Sequence, residues 1–225
     1  MQPTLARLNI VGTGPGSPEY ITPATRKVVR QAQIVIGAQR SLNLFAEEIV
    51  GEKMVLTAKN LNSTLKFAVE SAERSKEVVI LSTGDPGFSG LLRTILKKDF
   101  ANNVKINVVP GISSIQACAA KLAMCWDNAC LFTFHEGEVT EQQKNELAAC
   151  AKKGRDLMIL PDPKAFSHSE IANFLLESGL DKATPVLICE NLTLTDEKIT
   201  SSSLEKVCDR TFGSLSVMVI KQTPK

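Results

Sequence analysis

Residues Val78–Gly90, VVILSTGDPGFSG, decide how this chain reads. Val78 to Leu81 are four apolar residues, short enough and β-branched enough for a buried parallel strand. The run breaks at Gly84-Asp85-Pro86, where Asp85 suits a helix N-cap and Pro86 the first helical position. Leu91, Leu92, Ile95 and Leu96 follow at helical spacing, so the expected order is strand, tight turn, helix. Such a turn lies at the carboxyl end of its strand, where open α/β sheets place their ligands. An ordinary capped helix after a strand reads the same way.

The same grammar extends outward. Leu8-Asn9-Ile10-Val11 reads as a first strand running into Gly12-Thr13-Gly14-Pro15-Gly16, and Thr22-Pro23 opens a helix. Ile34–Ile36 is a strand ending at Gly37, Lys53–Leu56 a short strand, and Leu61–Ser75 a helix with Leu65, Ala68, Val69 and Ala72 on one face. Lys105–Val109 is a strand that stops at Pro110-Gly111-Ile112-Ser113-Ser114, with a helix over Ile115–Leu122. Alternating strands and helices imply a mostly parallel sheet with right-handed crossovers. The pattern resets around Met124–Asn128. Strands are expected at Ala129–Phe134, Leu157–Leu160, Pro185–Cys189, Lys198–Thr200 and Leu215–Ile220, with helices over Thr140–Lys152 and Ile171–Leu176. The fold class is therefore α/β, with two domains, 1–123 and 124–225. The first carries a mostly parallel sheet and the second a mixed one, and a cleft between them is the expected ligand site.

Composition narrows the function classes. The 225 residues are 44% hydrophobic with a net charge of +2, which gives no general electrostatic case for nucleic acid. No apolar run reaches membrane-span length, and the N-terminus lacks a signal pattern, so a cytoplasmic protein is expected. Six cysteines show no CxxC and no histidine at metal spacing, and no metal site is expected. His168, between two serines, reads as surface.

The glycine turns carry the chemistry. GTGPG invites a dinucleotide reading, but Ser17 replaces the last glycine, Pro15 lacks an N–H, and no acidic residue ends the second strand. No Gly-Lys-Ser/Thr follows, which excludes a P-loop. What remains is a tight turn, either for close ligand approach or for turn chemistry alone. PGISS places Ser113 and Ser114 at a helix start, as a seat for a small carboxylate or as a cap.

Together GTGPGSPEYIT, AQIVIGAQR, STGDPGFSG and VVPGISSIQ resemble the tetrapyrrole (corrin/porphyrin) methylases, two-domain enzymes that use S-adenosylmethionine. GDPGF, PGISS and Trp126-Asp127 resemble the branch that methylates C5 of cobalt-precorrin-7 in cobalamin biosynthesis. The resemblance runs from residue 8 to about 135 and, more weakly, over Cys189–Thr193. One departure is Phe134-His135-Glu136-Gly137, where that branch has a Leu-His-Gly-Arg run.

The resemblance implies a cofactor held by Gly84, Asp85, Phe88, Ser113, Ser114, Leu160, Pro161, Asn191 and Leu192. Asp85 either caps the helix or contacts the cofactor, chiefly through the shape of its loop. Gly14, Pro15 and His135 fall on the acceptor side, and Arg40, Arg93, Lys59 and Lys121 are candidate cations for a polycarboxylate acceptor. Methyl transfer is direct displacement by an electron-rich ring carbon, and no catalytic acid or base is assigned. A homodimer and a separate C15-methylating, decarboxylating partner are also implied. The other readings are another tetrapyrrole methylase of this fold, or a non-catalytic subunit that binds tetrapyrrole or cofactor for a partner.

Overall fold

A computed structural model describes residues 6–97, 104–135 and 137–222. The chain divides into two compact units, Met1–Ser113 and Ser114–Lys225.

The first unit runs β1 (Ala6–Gly12), α1 (Pro23–Arg30), β2 (Ile34–Gly37), α2 (Gln39–Asn43), β3 (Glu52–Val55), α3 (Leu61–Glu73), β4 (Val78–Ser82), α4 (Leu91–Leu96) and β5 (Val104–Val109). All its strand pairs are parallel, in the order β3-β2-β4-β1-β5. The apolar run of β4 has a simple cause: alternate side chains enter different cores. Val78 and Ile80 pack with Leu8, Ile10, Leu65 and Ala68, the last two from α3. Val79 and Leu81 pack on the other face with Val29 of α1 and Leu42 of α2. Thr22 caps α1 as expected, its Oγ1 accepting the Thr25 N–H at 3.2 Å.

The second unit runs α5 (Ser114–Lys121), β6 (Cys130–Thr133), α6 (Glu141–Lys152), β7 (Leu157–Leu160), α7 (His168–Glu177), β8 (Pro185–Glu190), β9 (Lys198–Ser203), α8 (Leu204–Val207) and β10 (Ser216–Ile220). Its order is β6-β7-β10-β8-β9; β6 and β7 are parallel and the other pairs antiparallel, so the sheet is mixed. Leu147, Ile159, Ile171, Leu175, Ile188, Leu204 and Met218 form its core. Helix α5 belongs to the second unit and packs on β10. Cys118, Cys130 and Cys189 are buried, Cys150 and Cys208 half-buried, and Cys125 exposed, all as free thiols. Among the described residues no helix is long and apolar enough to cross a membrane.

Candidate functional site

Strand order brings the three glycine turns of the first unit together. β1 lies between β4 and β5 and ends at Gly12, while Gly84 and Gly111 each stand two residues beyond the ends of β4 and β5. Gly14 and Gly84 form an isolated antiparallel bridge, with the Gly84 N–H donating to the Gly14 carbonyl at 2.8 Å. Both sit at positive φ, +77° and +67°, which glycine adopts without strain. A Cβ on Gly12 would stand 2.5 Å from Gly111 Cα, and one on Gly111 would stand 2.3 Å from the Gly84 carbonyl oxygen. These glycines therefore permit loop-to-loop contact. Thr25 of α1 supports the cluster by donating from Oγ1 to the Gly12 carbonyl at 2.9 Å.

Asp85 is not a helix cap. The helix begins at Leu91 with Gly90 as its N-cap, and Pro86 lies outside it. The Asp85 carboxylate instead takes two backbone N–H groups, Gly87 to Oδ1 at 2.8 Å and Gly111 to Oδ2 at 3.0 Å. An acidic residue before a helix suits either role, and sequence pattern alone does not separate them. Pro15 and Phe88 are half-buried beside this cluster, and Ser113 is buried.

Arg40 is exposed and donates from Nη2 to Thr83 Oγ1 at 3.2 Å, one residue before Gly84. Arg93 lies on the exposed side of α4, lining a shallow groove of about 350 Å³ with Gly87, Leu92, Leu96 and Lys97. Lys59 is exposed in the turn before α3. Lys121, the remaining candidate cation, pairs with Glu197 at 2.7 Å.

In the second unit, β6 and β7 end together, with the Phe134 N–H donating to the Leu160 carbonyl at 3.0 Å. Beyond them His135 Nδ1 lies 3.3 Å from Asp162 Oδ2. Burial opposes ionisation of Asp162, but the N–H groups of Lys164 and Ala165 together with His135 hold its carboxyl below the usual range. Leu160 and Pro161 are buried, and a groove of about 820 Å³ opens nearby over Val139, Phe166 and Phe174. Glu136, where the family pattern departs, lies outside the described residues.

The loop after β8 is tightly organised. Asn191 (φ +51°) donates from Nδ2 to Asp196 Oδ2 at 2.8 Å, and Leu192 is 5% exposed. His168 is buried, contrary to the surface reading. Its Nε2 lies 2.9 Å from Ser216 Oγ. That hydroxyl donates to the Gly213 carbonyl at 2.8 Å, so it accepts from His168 and fixes the Nε2–H tautomer. Burial pushes the His168 pKa down to about 4, partly opposed by Glu190. Glu190 Oε1 in turn accepts the Gly213 N–H at 2.7 Å, tying this network to the end of β8. Sequence reading missed His168 although a signal was present: it shares a helical face with Ile171, Ala172 and Leu175.

Residues 7–208 match the family model of the Tetrapyrrole (Corrin/Porphyrin) Methylases. A probable cobalt-precorrin-7 C(5)-methyltransferase of Methanocaldococcus jannaschii is 38% identical over 93% of this chain and 95% of its own. The structure of a cobalamin biosynthesis precorrin-6Y methylase from Archaeoglobus fulgidus aligns with a TM-score of 0.72 at 23% identity, over 97% of this chain and 99% of that one. Uroporphyrin-III C-methyl transferase from Thermus thermophilus, complexed with S-adenosyl homocysteine, aligns with a TM-score of 0.74 at 22% identity, over 96% and 92%. Two α/β units with glycine turns at the ends of a parallel sheet are thus the fold of a methyltransferase class. The chain belongs to the tetrapyrrole methylases, which are S-adenosylmethionine-dependent enzymes.

Proposed function

We propose that this chain methylates C5 of a corrin-ring intermediate, cobalt-precorrin-7 or its metal-free counterpart, in cobalamin biosynthesis. The observation that carries this reading is the 38% identity, over 93% of the chain, to a relative described as acting at that position.

S-adenosylmethionine, when bound, supplies an electrophilic methyl group on a sulfonium. The residues assigned to it are Gly84, Asp85, Phe88, Ser113, Ser114, Leu160, Pro161, Asn191 and Leu192. They fit the group chemically. Ser114 opens α5, whose first N–H groups suit a carboxylate, and buried Leu160, Pro161 and Leu192 offer apolar surface to an adenine. Asp85 serves by holding its loop in shape, since both oxygens already accept backbone N–H groups. Gly14, Pro15 and His135 are assigned to the acceptor, and exposed Arg40 and Arg93 to its carboxylates. Pyrrolic nitrogens of the acceptor supply the electron push at the ring carbon, so the protein aligns the reactants and excludes water.

The family resemblance also supports a cytoplasmic homodimer that hands its product to a separate C15-methylating, decarboxylating enzyme. Calorimetric titration with S-adenosylhomocysteine tests the cofactor site, with micromolar binding expected. Absence of both heat and a melting-temperature shift would overturn it. Turnover with a ¹³C-methyl donor then tests the position: the label is expected at C5, and label at another ring carbon would reassign the enzyme within the family. Binding without turnover, in the presence of the corrin, would favour the non-catalytic subunit.

A further inference from the structure

The turn that carries Asn191 and Leu192 is built at some cost. It closes an antiparallel hairpin, β8 to β9, with residues 191–197 outside the ladder that pairs Glu190 with Lys198. Thr193 sits at φ +71° and Asn191 at +51°. Asparagine tolerates the left-handed region, but a β-branched threonine there is an outlier costing about 1–3 kcal/mol. Something in the surroundings must enforce that conformation.

The enforcing contacts are specific. Glu197 Oε2 accepts the Thr193 N–H at 2.8 Å. Its other oxygen, Oε1, lies 2.7 Å from Nζ of Lys121, the last residue of α5. The turn is further closed by the Leu194 N–H on the Asn191 carbonyl at 3.0 Å and by the Asn191 N–H on the Leu215 carbonyl at 2.8 Å. Between the two left-handed residues, the Leu192 side chain is anchored in the interior. Among the described residues, no hydrogen bond engages the backbone N–H or carbonyl of Leu192. Two left-handed residues thus bracket Leu192, and Thr193 is the strained one of the pair.

We propose that Glu197 is a positioning residue of the methyl-donor site: braced by Lys121, it holds the Asn191–Thr193 turn so that the Leu192 backbone meets the cofactor. This rests on the reading above, in which Asn191 and Leu192 contact S-adenosylmethionine. The brace links two such contacts within the second unit. α5 begins at Ser114 and ends at Lys121, so the ion pair ties the far end of that helix to the Leu192 turn. Lys121 first, then the Thr193 N–H, holds the Glu197 carboxyl below the usual range, so the brace is charged at neutral pH. With the Lys121 side chain 47% exposed, the pair adds little to global stability. Its effect is on the geometry of the turn.

The test is S-adenosylhomocysteine affinity, measured by calorimetry beside the melting temperature. Glu197→Ala is expected to weaken binding about tenfold while the protein remains folded. Lys121→Met keeps the Thr193 hydrogen bond and is expected to weaken binding about threefold at an unchanged melting temperature. Adding Thr193→Gly to Glu197→Ala should recover most of the loss, because glycine takes a positive φ unaided. In turnover, the methyl-donor KM should rise while the acceptor KM stays constant. Folded variants that bind within twofold of wild type, or a loss that Thr193→Gly does not recover, would overturn the proposal. A wild-type chain that does not bind S-adenosylhomocysteine would instead remove the cofactor reading, and this inference with it.

Discussion

Asp85 Oδ2 accepts the backbone N–H of Gly111, 26 residues further along the chain, at 3.0 Å. With the Gly87 N–H on Oδ1, one carboxylate shapes the second glycine turn and ties it to the third. Asp85→Ala leaves two N–H groups without that acceptor and is expected to cost about 2 kcal/mol, read from the urea midpoint. Asp85→Asn keeps one acceptor oxygen and turns an amide N–H toward Gly111, so roughly half that loss is expected. In both variants S-adenosylhomocysteine affinity should fall in step with stability. A stable Asp85→Ala protein that no longer binds would mean that the carboxylate itself contacts the cofactor.

Gly111 and Gly87 separate packing from binding. A methyl group on Gly111 would meet the Gly84 carbonyl oxygen at 2.3 Å, and backbone on both sides must then move. Gly111→Ala is expected to destabilise by about 3 kcal/mol or more. A methyl on Gly87 meets only Asp85 Oδ1, at 3.1 Å, and Gly87 is exposed. The Asp85 carboxylate must shift by a few tenths of an ångström, so Gly87→Ala should lower the melting temperature less than Gly111→Ala, yet weaken S-adenosylhomocysteine measurably if the cofactor lies on that turn. Unchanged affinity would move the cofactor away from Gly87.

The central strands were legible as short apolar runs ended by glycine, proline or a polar turn, as Val78–Leu81 shows, whereas edge strands β3 (EKMV) and β9 (KITSSS) are mostly polar. A helix start was legible where a cap stands before the periodic face, as at Thr22, whereas Thr140 caps the helix that was expected to begin with it. Strand order was not. Nothing local says that β1 lies between β4 and β5, and that placement makes Gly12, Gly84 and Gly111 neighbours. The two readings of Asp85, helix cap or shaper of its loop, are not separable in the sequence because capping and turn formation draw on the same short acceptor side chain. Lys121 was grouped with the acceptor cations because its partner, Glu197, is distant in sequence and joined to it only by the packing of α5.

Arg40 and Arg93 are exposed, so neither is expected to matter for stability. Arg40→Ala removes a 3.2 Å hydrogen bond to Thr83, and its loss should move the melting temperature by no more than a degree or so. If these side chains meet the acceptor's carboxylates, each substitution should raise the acceptor KM by about three- to tenfold with the methyl-donor KM unchanged. A parallel rise in both constants would place the arginine at the cofactor instead.

His168 gives a pH signature that depends on folding alone. Its pKa falls from an ordinary 6.5 to about 4 in the folded protein, chiefly through burial, so the native state holds it neutral. Between those values the unfolded chain binds the extra proton and the native one does not, so stability falls as pH drops. The contribution is fully present above pH 6.5 and is lost progressively toward pH 4, to a total of roughly 3 kcal/mol. Asp162, Glu170 and Glu197, whose carboxyls lie below their usual range, add their own losses at the acid end of that window and below it. His168→Gln removes the titrating ring and gives up the 2.9 Å contact with Ser216. It should be less stable than wild type at pH 7.5, and its urea midpoint should change less between pH 7 and pH 5. A midpoint that falls as steeply in His168→Gln as in wild type would show that the ring is not the titrating group.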